Sequence, residues 1–292
     1  VGSEMCIRDR YDMSYDKMKQ WYDGYDLKGI QIYNPRSVVM SLSGHDFDSY
    51  WTKTETYEAL KKYIQMDMYN LKELVTRLIA GSSIEINPDK FQNDMTTFAS
   101  ADDVLTLLVH LGYLTYDFDT CTVHIPNQEV QKEFINCIED GGWEPVMDAI
   151  RKSEELLAAT IRGEEETVAR MIENAHQENT SILAYNDENS LACVIALAYY
   201  SAKKNYVVYR ELAGGKGFAD ICFIPRKMYA DKPAVVVELK WDKSARGALE
   251  QIKDREYVEA LKEYKGNLLL AGINYDRKTK THTCVIEKFQ KV

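Results

Sequence analysis

The C-terminal third of the chain shows a pattern of apolar positions that predicts a compact α/β core. An apolar stripe over residues 191–198 predicts a helix, and strands are predicted over residues 206–209 and 218–224. Residues 234–240 carry the continuous apolar run expected of a buried central strand. The order then continues with an amphipathic helix over 245–264 and strands over 268–273 and 283–286. Helix, three strands, helix, strand, strand predicts an α/β sandwich built on a mixed sheet.

The N-terminal half instead predicts mostly helices, and the turn Asn34-Pro35 predicts the start of one of them. Helical periodicity runs over residues 55–80 and stops at Gly81, and another helix follows Ser100, a good N-cap residue. A hairpin over residues 113–126 and a helix capped by Asn127 come next. Helix, hairpin and helix in this order resemble a winged-helix-like lid subdomain, although a plain small helical subdomain has the same pattern.

These patterns divide the chain into four segments. Residues 1–10 lack an initiator methionine and resemble the translation of a sequencing adapter, so we expect a non-native leader that replaces lost natural sequence. Residues 11–140 form the lid region, which would then be truncated. Residues 141–180 are acidic and periodic and predict a helical linker. Residues 181–292 hold the α/β core.

Charge is distributed unevenly between these segments. The chain has a formal net charge of −10. Residues 1–179 hold 17 basic and 32 acidic side chains, whereas residues 180–292 hold 19 basic and 14 acidic ones. The overall acidity argues against a nucleic-acid partner, but the local sign of the C-terminal segment permits one.

Other global features mainly exclude protein classes. No apolar run approaches the roughly 18–20 residues of a membrane helix, so we expect a soluble protein. The six cysteines and five histidines are dispersed, without zinc spacing or a nucleophile signature. Free thiols in a reducing cytoplasm are the simplest interpretation.

The central strand ends with two charged residues at alternating positions. Glu238 and Lys240 are two residues apart and therefore project from one face of the strand, while Val237 and Leu239 point to the other. Charges on a buried element are costly unless they are paired or bind a ligand. Taken alone, this triplet is also typical of a surface salt bridge.

A glycine-rich turn precedes the strand that pairs with this one. Residues 214–217 (GGKG) lead to Asp220, which hairpin geometry places on the strand beside Glu238. Two carboxylates with a lysine nearby suit Mg²⁺, or Mn²⁺ in its place, and Lys240 would help deprotonate an attacking water and stabilise charge on a phosphate. The glycines permit close approach of a phosphate backbone, or serve only a tight turn.

The sequences GFAD (217–220), VVELK (236–240) and ALEQI (248–252) resemble the PD-(D/E)XK nuclease superfamily. The resemblance implies a restriction-endonuclease-like α/β core in which Asp220 and Glu238 bind Mg²⁺ and Lys240 is catalytic. A further acid on the first core helix would complete the metal site, with Glu188 as the candidate and Glu211 as a second one. The candidate substrate contacts are Gln251, Tyr257, Lys216 and Gly217. Gln251 and Tyr257 fit a structural role equally.

The resemblance narrows to nuclease-like domains fused to AAA-ATPase-like modules in many anaerobic bacteria. WYDGY (21–25), YNPRS (33–37) and YW (50–51) are similar to the C-terminal lid part of such a module. No GxxxxGK[ST] phosphate loop occurs in the sequence, so we do not expect this chain to hydrolyse ATP alone.

Three functions remain open at this point. The leading hypothesis is a Mg²⁺-dependent phosphodiesterase acting on DNA. The second is a nuclease-fold module that is weakly active or inactive and binds nucleic acid or regulates an ATPase; the charge of +5 on the core gives only weak attraction for phosphates. The third is an interaction protein built on the aromatic-rich lid, whose tyrosines and tryptophans fit core packing better.

Overall fold

The chain folds into two compact units, Val1–Trp143 and Glu144–Val292. The computed structural model describes residues 7, 11–27, 29–50, 55–65, 70–91, 98–139, 143–179, 188–214, 217–254 and 267–289. Within these residues no helix combines the length and the apolar character that crossing a membrane requires. No disulfide joins the described cysteines.

The described part of the first unit contains six helices and five short strands. The helices are α1 (Tyr15–Tyr22), α2 (Pro35–Gly44), α3 (Glu55–Gln65), α4 (Leu71–Ile79), α5 (Ala101–His110) and α6 (Gln128–Glu139). The strands are β1 (Tyr25–Leu27), β2 (Ile30–Ile32), β3 (Ile84–Glu85), β4 (Thr115–Asp117) and β5 (Thr122–His124). Strands β1 and β2 form an antiparallel hairpin, and a second antiparallel sheet has the order β3-β5-β4. This part is mostly helical, as predicted.

The predicted helix starts in this unit are confirmed by their caps. The Asn34 side chain accepts hydrogen bonds from the backbone N–H groups of Arg36 and Ser37, with Pro35 in the first turn. Ser100 and Asp103 form a reciprocal capping box at the start of α5. The Asn127 carboxamide accepts from the N–H of Val130 at 3.0 Å, at the start of α6.

The prediction of one helix over residues 55–80 is wrong. Helix α3 ends at Gln65 and α4 begins at Leu71, after Asn70 with a left-handed φ of 62°. A residue in that conformation interrupts a right-handed helix, so the apolar periodicity belongs to two helices. The glycine predicted to stop the helix, Gly81, has φ 93° and follows the end of α4.

Aromatic side chains build one core of the first unit. Tyr22 is fully buried and packs with Phe47 and Tyr50. Its hydroxyl donates to the Asp48 carbonyl oxygen and accepts from the Asp48 N–H. Ile7 of the expected leader is also buried in this cluster. The aromatic residues of this region therefore serve core packing; Trp51 lies outside the described residues.

The second unit has the predicted order of elements. Its described helices are α7 (Glu144–Arg162), α8 (Glu165–Asn179), α9 (Glu188–Ala198) and α10 (Ala245–Asp254). Its described strands are β6 (Tyr206–Gly214), β7 (Gly217–Pro225), β8 (Ala234–Trp241), β9 (Leu268–Asp276) and β10 (Thr281–Phe289). They form one sheet in the order β10-β9-β8-β7-β6, in which β8 and β9 are parallel and the other pairs antiparallel. The predicted mixed sheet is confirmed.

Helices cover both faces of this sheet. On one face, Val236 and Leu270 pack against Leu249 and Ile252 of α10. On the other face, Phe223 contacts Tyr199, the residue after α9, at a ring distance of 5.2 Å. Helices α7 and α8, which span the segment predicted as a linker, pack in this second layer against α9. The sheet is thus the middle layer of an α/β/α arrangement.

Candidate active site

The two charged side chains of the central strand form a buried ion pair. Glu238 and Lys240 project from the same face of β8, and the Lys240 Nζ lies 2.9 Å from the Glu238 Oε1. The two residues are only 1% and 7% exposed, because β8 lies between β7 and β9 in the middle of the sheet. A surface salt bridge is therefore excluded. Burying two charges costs several kcal/mol each unless they are paired, so the ion pair holds both in place.

Asp220 reaches the same place from the neighbouring strand. The register of β7 and β8 pairs Ile221 with Val237, and one step further it places Asp220 opposite Glu238. The Asp220 Oδ2 accepts a hydrogen bond from the Leu239 N–H at 2.6 Å. This bond fixes the carboxylate against β8 between the two charged residues of that strand.

A fourth predicted residue joins them from the helix above. The side-chain amide of Gln251, on α10, donates a hydrogen bond to the Glu238 Oε1. That one oxygen therefore receives both the Lys240 ammonium and the Gln251 amide. Since both donors come from packed elements, the Glu238 carboxylate has a fixed orientation.

Two residues of β9 that sequence reasoning missed complete the surroundings. Gly272 lies beside Glu238 in the parallel ladder, and a Cβ there would meet the Ala245 carbonyl oxygen at 2.1 Å. Asn274 lies beside Lys240, is buried, and its Oδ1 accepts from the Lys243 N–H at 2.9 Å. A glycine inside a strand marks a close approach of another backbone, which is the signal that would have identified Gly272.

The thiol nearest to the carboxylates in sequence is chemically inert. Cys222 is two residues from Asp220 on the same strand and packs against α10 in the core. Burial raises the pKa of this thiol to about 12. The thiolate is the nucleophilic form of cysteine, so Cys222 is not a nucleophile at neutral pH.

Five further candidates are not placed in this group by the structure. Glu188 is the first residue of α9, the helix on the opposite face of the sheet, and its side chain lies outside the described residues, as does that of Glu211. Gly217 begins β7, where its backbone pairs with that of Gly214. Lys216 and Tyr257 lie outside the described residues.

The donor set matches a hard divalent cation. Asp220 and Glu238 offer carboxylate oxygens from facing positions on adjacent strands, and Mg²⁺ is commonly held by one or two carboxylates together with waters and substrate phosphate. Within the described ranges, no group of three His, Cys, Asp or Glu side chains is arranged to hold a metal. Asp220 and Glu238 are the described residues that would hold such a cation, with waters at its other positions.

Residues 186–284 match the family model described as the PD-(D/E)XK nuclease superfamily. The match contains α9, β6 to β9 with α10, and the first four residues of β10. It also contains all four side chains that the structure brings together. None of the curated proteins matches the chain.

Proposed function

We propose that the second unit is a Mg²⁺-dependent nuclease that hydrolyses phosphodiester bonds of DNA. One observation carries the proposal: Asp220, Glu238 and Lys240 meet on one face of the sheet, inside the segment that matches the nuclease superfamily model. A fold of this class supports nucleic-acid binding. The two carboxylates and the ammonium are groups that can hold a metal ion and contact a phosphate.

The two carboxylates are the proposed cation ligands. Asp220 is held by the Leu239 N–H and Glu238 by the Gln251 amide, so both are oriented before any cation arrives. Bound there, Mg²⁺ or Mn²⁺ would supply Lewis acidity toward a phosphate oxygen and would lower the pKa of a bound water.

Lys240 is the residue that we propose positions the attacking water and contacts the phosphate. Its Nζ is held 2.9 Å from Glu238 on the face that would meet the scissile phosphate. From that position the ammonium donates hydrogen bonds to an attacking water or to a phosphate oxygen. It thereby positions the water and stabilises negative charge on the phosphate while the bond from the water oxygen to phosphorus forms. The ester P–O bond opposite the water breaks, and the leaving oxygen takes up a proton from solvent.

For the rest of the chain we propose the context that the sequence resemblance implies. Residues 11–140 would be the lid region of an AAA-ATPase-like module. Its mostly helical character and the three-stranded sheet β3-β5-β4 support this proposal. The nuclease unit would then act in the cytoplasm, under the control of an ATPase.

The test is cleavage of supercoiled plasmid by the purified chain with Mg²⁺ or Mn²⁺. We expect nicked and linear products from the wild type and a loss of at least about 100-fold in rate for Lys240→Met. Lys227→Met is the matched control, because Lys227 is exposed at the other end of β7. Equal rates for Lys240→Met and wild type, or no cleavage by folded wild type with either metal, would overturn the proposal.

A further inference from the structure

Five exposed basic side chains surround one end of the nuclease sheet. Lys243 lies in the connection from β8 to α10, and Arg246 lies in the first turn of α10. Arg277, Lys278 and Lys280 lie in the turn from β9 to β10. We call these five residues the basic rim. The chain as a whole is acidic, so a local excess of cations here is a departure from its general surface.

Hydrogen bonds join the two halves of the basic rim into one structure. The Lys243 N–H donates to the Asn274 Oδ1 at 2.9 Å, and the Arg277 N–H donates to the Asp242 Oδ1 at 2.7 Å. The Arg277 guanidinium also lies 3.5 Å from the Asp242 Oδ2. The backbone of Asp242 donates in turn to the Tyr275 carbonyl oxygen. The two connections therefore present their cations together.

The basic rim lies at the end of the sheet that is nearer to Lys240. In the parallel ladder Lys240 is beside Asn274, and Trp241 is beside Tyr275. Arg277 is three residues beyond Asn274, so it stands roughly 10 Å further along the strand direction than Lys240. That distance corresponds to about three phosphates of one DNA strand, which follow one another at about 3.4 Å along the helix axis.

Acidic neighbours reduce the charge of this surface without cancelling it. Asp242 directly follows β8 and Asp276 is the last residue of β9. Asp276 accepts from the N–H groups of Lys278 and Thr279. Glu250 is exposed one turn along α10 from Arg246. Glu173 of α8 also lies near this end of the sheet, where it accepts from the His282 backbone N–H. Five cations against these four carboxylates leave a small positive excess beside the candidate site.

We propose that the basic rim binds the phosphodiester backbone of double-stranded DNA and holds it across the candidate site. This inference rests on the proposed function for its choice of substrate. Exposed lysines and arginines on rigid connections suit contacts with phosphates, which position a duplex without reading its sequence. The rim supplies the attraction that the modest overall charge of the unit does not.

The test is binding of a fluorescent 20-base-pair duplex, measured by anisotropy with EDTA present so that no cleavage occurs. Lys243→Gln/Lys278→Gln removes two rim charges without touching the backbone hydrogen bonds. Lys227→Gln/Lys288→Gln is the matched control, because both lysines are exposed at the opposite end of the sheet. We expect the rim variant to bind roughly 3–30-fold more weakly at about 0.1 M salt, and its log–log salt slope to fall by about 2.

Three results would overturn the basic rim as the DNA contact. These are equal affinities and slopes for the rim variant and the wild type, equal losses in the control variant, or no duplex binding by wild type at low salt. Tighter binding of duplex RNA than of DNA would overturn the choice of substrate. Because EDTA removes the metal from this assay, these failures are distinct from a failure of plasmid cleavage.

Discussion

Gly272 and Glu238 lie side by side in the parallel ladder, and helix α10 passes directly over the glycine. A Cβ at position 272 would meet the Ala245 carbonyl oxygen at 2.1 Å and the Leu249 N–H nitrogen at 3.0 Å. The missing side chain thus lets the backbone of α10 approach β9. This close approach brings Gln251 within hydrogen-bonding reach of Glu238.

We predict that Gly272→Ala lowers the free energy of unfolding by about 1–3 kcal/mol, because α10 must move away from the sheet. Cleavage should fall as well, since the Gln251 contact to Glu238 is lost. Urea unfolding and plasmid cleavage measure the two effects. Gly247→Ala, within α10 itself, is the control: its Cβ would meet only the Ser244 hydroxyl at 2.9 Å, so we expect little change. Equal stability of the two variants would contradict this packing argument.

The buried ion pair predicts a non-additive response to substitution. Lys240→Met takes the ammonium from a carboxylate that is 1% exposed, so we expect the free energy of unfolding to fall by about 3–5 kcal/mol. Glu238→Gln/Lys240→Met removes both charges and should be clearly more stable than Lys240→Met. Urea titrations of the two variants and of Glu238→Gln complete the cycle. If the double variant is no more stable than Lys240→Met, the pair does not hold the charges as described.

In the first unit, Glu129 predicts a loss of stability as the pH rises. The carboxyl is fully buried on α6, and its Oε1 accepts from the Ser37 hydroxyl at 2.7 Å and the Tyr50 N–H at 2.9 Å. Burial raises the pKa of Glu129 to about 7, and burial also raises the pKa of Glu133, one turn further along α6. Between about pH 4.5 and 7 the folded state holds a proton that the unfolded state has released.

The free energy of unfolding of this unit should therefore fall by up to about 3 kcal/mol between pH 5 and 8. Glu129→Gln keeps the acceptor and should flatten the profile. Tryptophan fluorescence in urea is a suitable probe, because three of the four tryptophans, Trp21, Trp51 and Trp143, belong to the first unit. Lys132 lowers the pKa of Asp48, which affects stability only at lower pH. An equally steep profile in Glu129→Gln would refute the assignment.

The second unit should respond to acid in the opposite sense. His176 and His282 are buried against Tyr275, with the His176 Nδ1 3.3 Å from the His282 Nε2. Burial lowers the pKa of His176 to about 3 and that of His282 to about 4. The unfolded state binds protons below about pH 6.5 that the folded state rejects, so stability is lost as the pH falls.

We expect this effect to reach about 2–4 kcal/mol between pH 7 and 4. Glu173, Asp242 and Asp276 are the carboxylates near Tyr275, and Glu173 also accepts from the His282 backbone N–H. Hydrogen exchange of α8 and β10 peptides, corrected for intrinsic rates, measures the local loss. His176→Gln removes one titrating ring and should shrink it by about half; an unchanged pH dependence would show that the ring does not titrate this way.

The sequence predicted those parts of the site that depend on the alternation of side chains along a strand and on the order of the strands. The two-residue spacing places Glu238 and Lys240 on one face of their strand. The glycine-rich turn before Asp220 predicts a further strand, which places Asp220 beside Glu238. Contacts from elements distant in sequence were harder to foresee. Asn274 and Gly272 become neighbours of the site only through the parallel pairing of β8 with β9, which periodicity does not specify.

In the first unit, some helix boundaries could be predicted from the sequence and one could not. Caps depend on residues three or four positions apart, and those of Asn34, Ser100 and Asn127 were predictable. The break at Asn70 depends on one left-handed residue, and apolar periodicity continues across it at nearly the same phase. A periodicity argument joins two helices in that situation.

The central claim is that Asp220 and Glu238 form a cation site beside Lys240, and calorimetric titration with Mn²⁺ tests it most directly. The wild type should bind the ion, and Asp220→Asn and Glu238→Gln, which keep the hydrogen-bond acceptors, should each weaken binding at least about tenfold. Lys240→Met should bind at least as tightly as wild type, because its ammonium no longer competes for the Glu238 oxygen. Absence of binding, or binding that both carboxylate variants leave unchanged, would contradict the account.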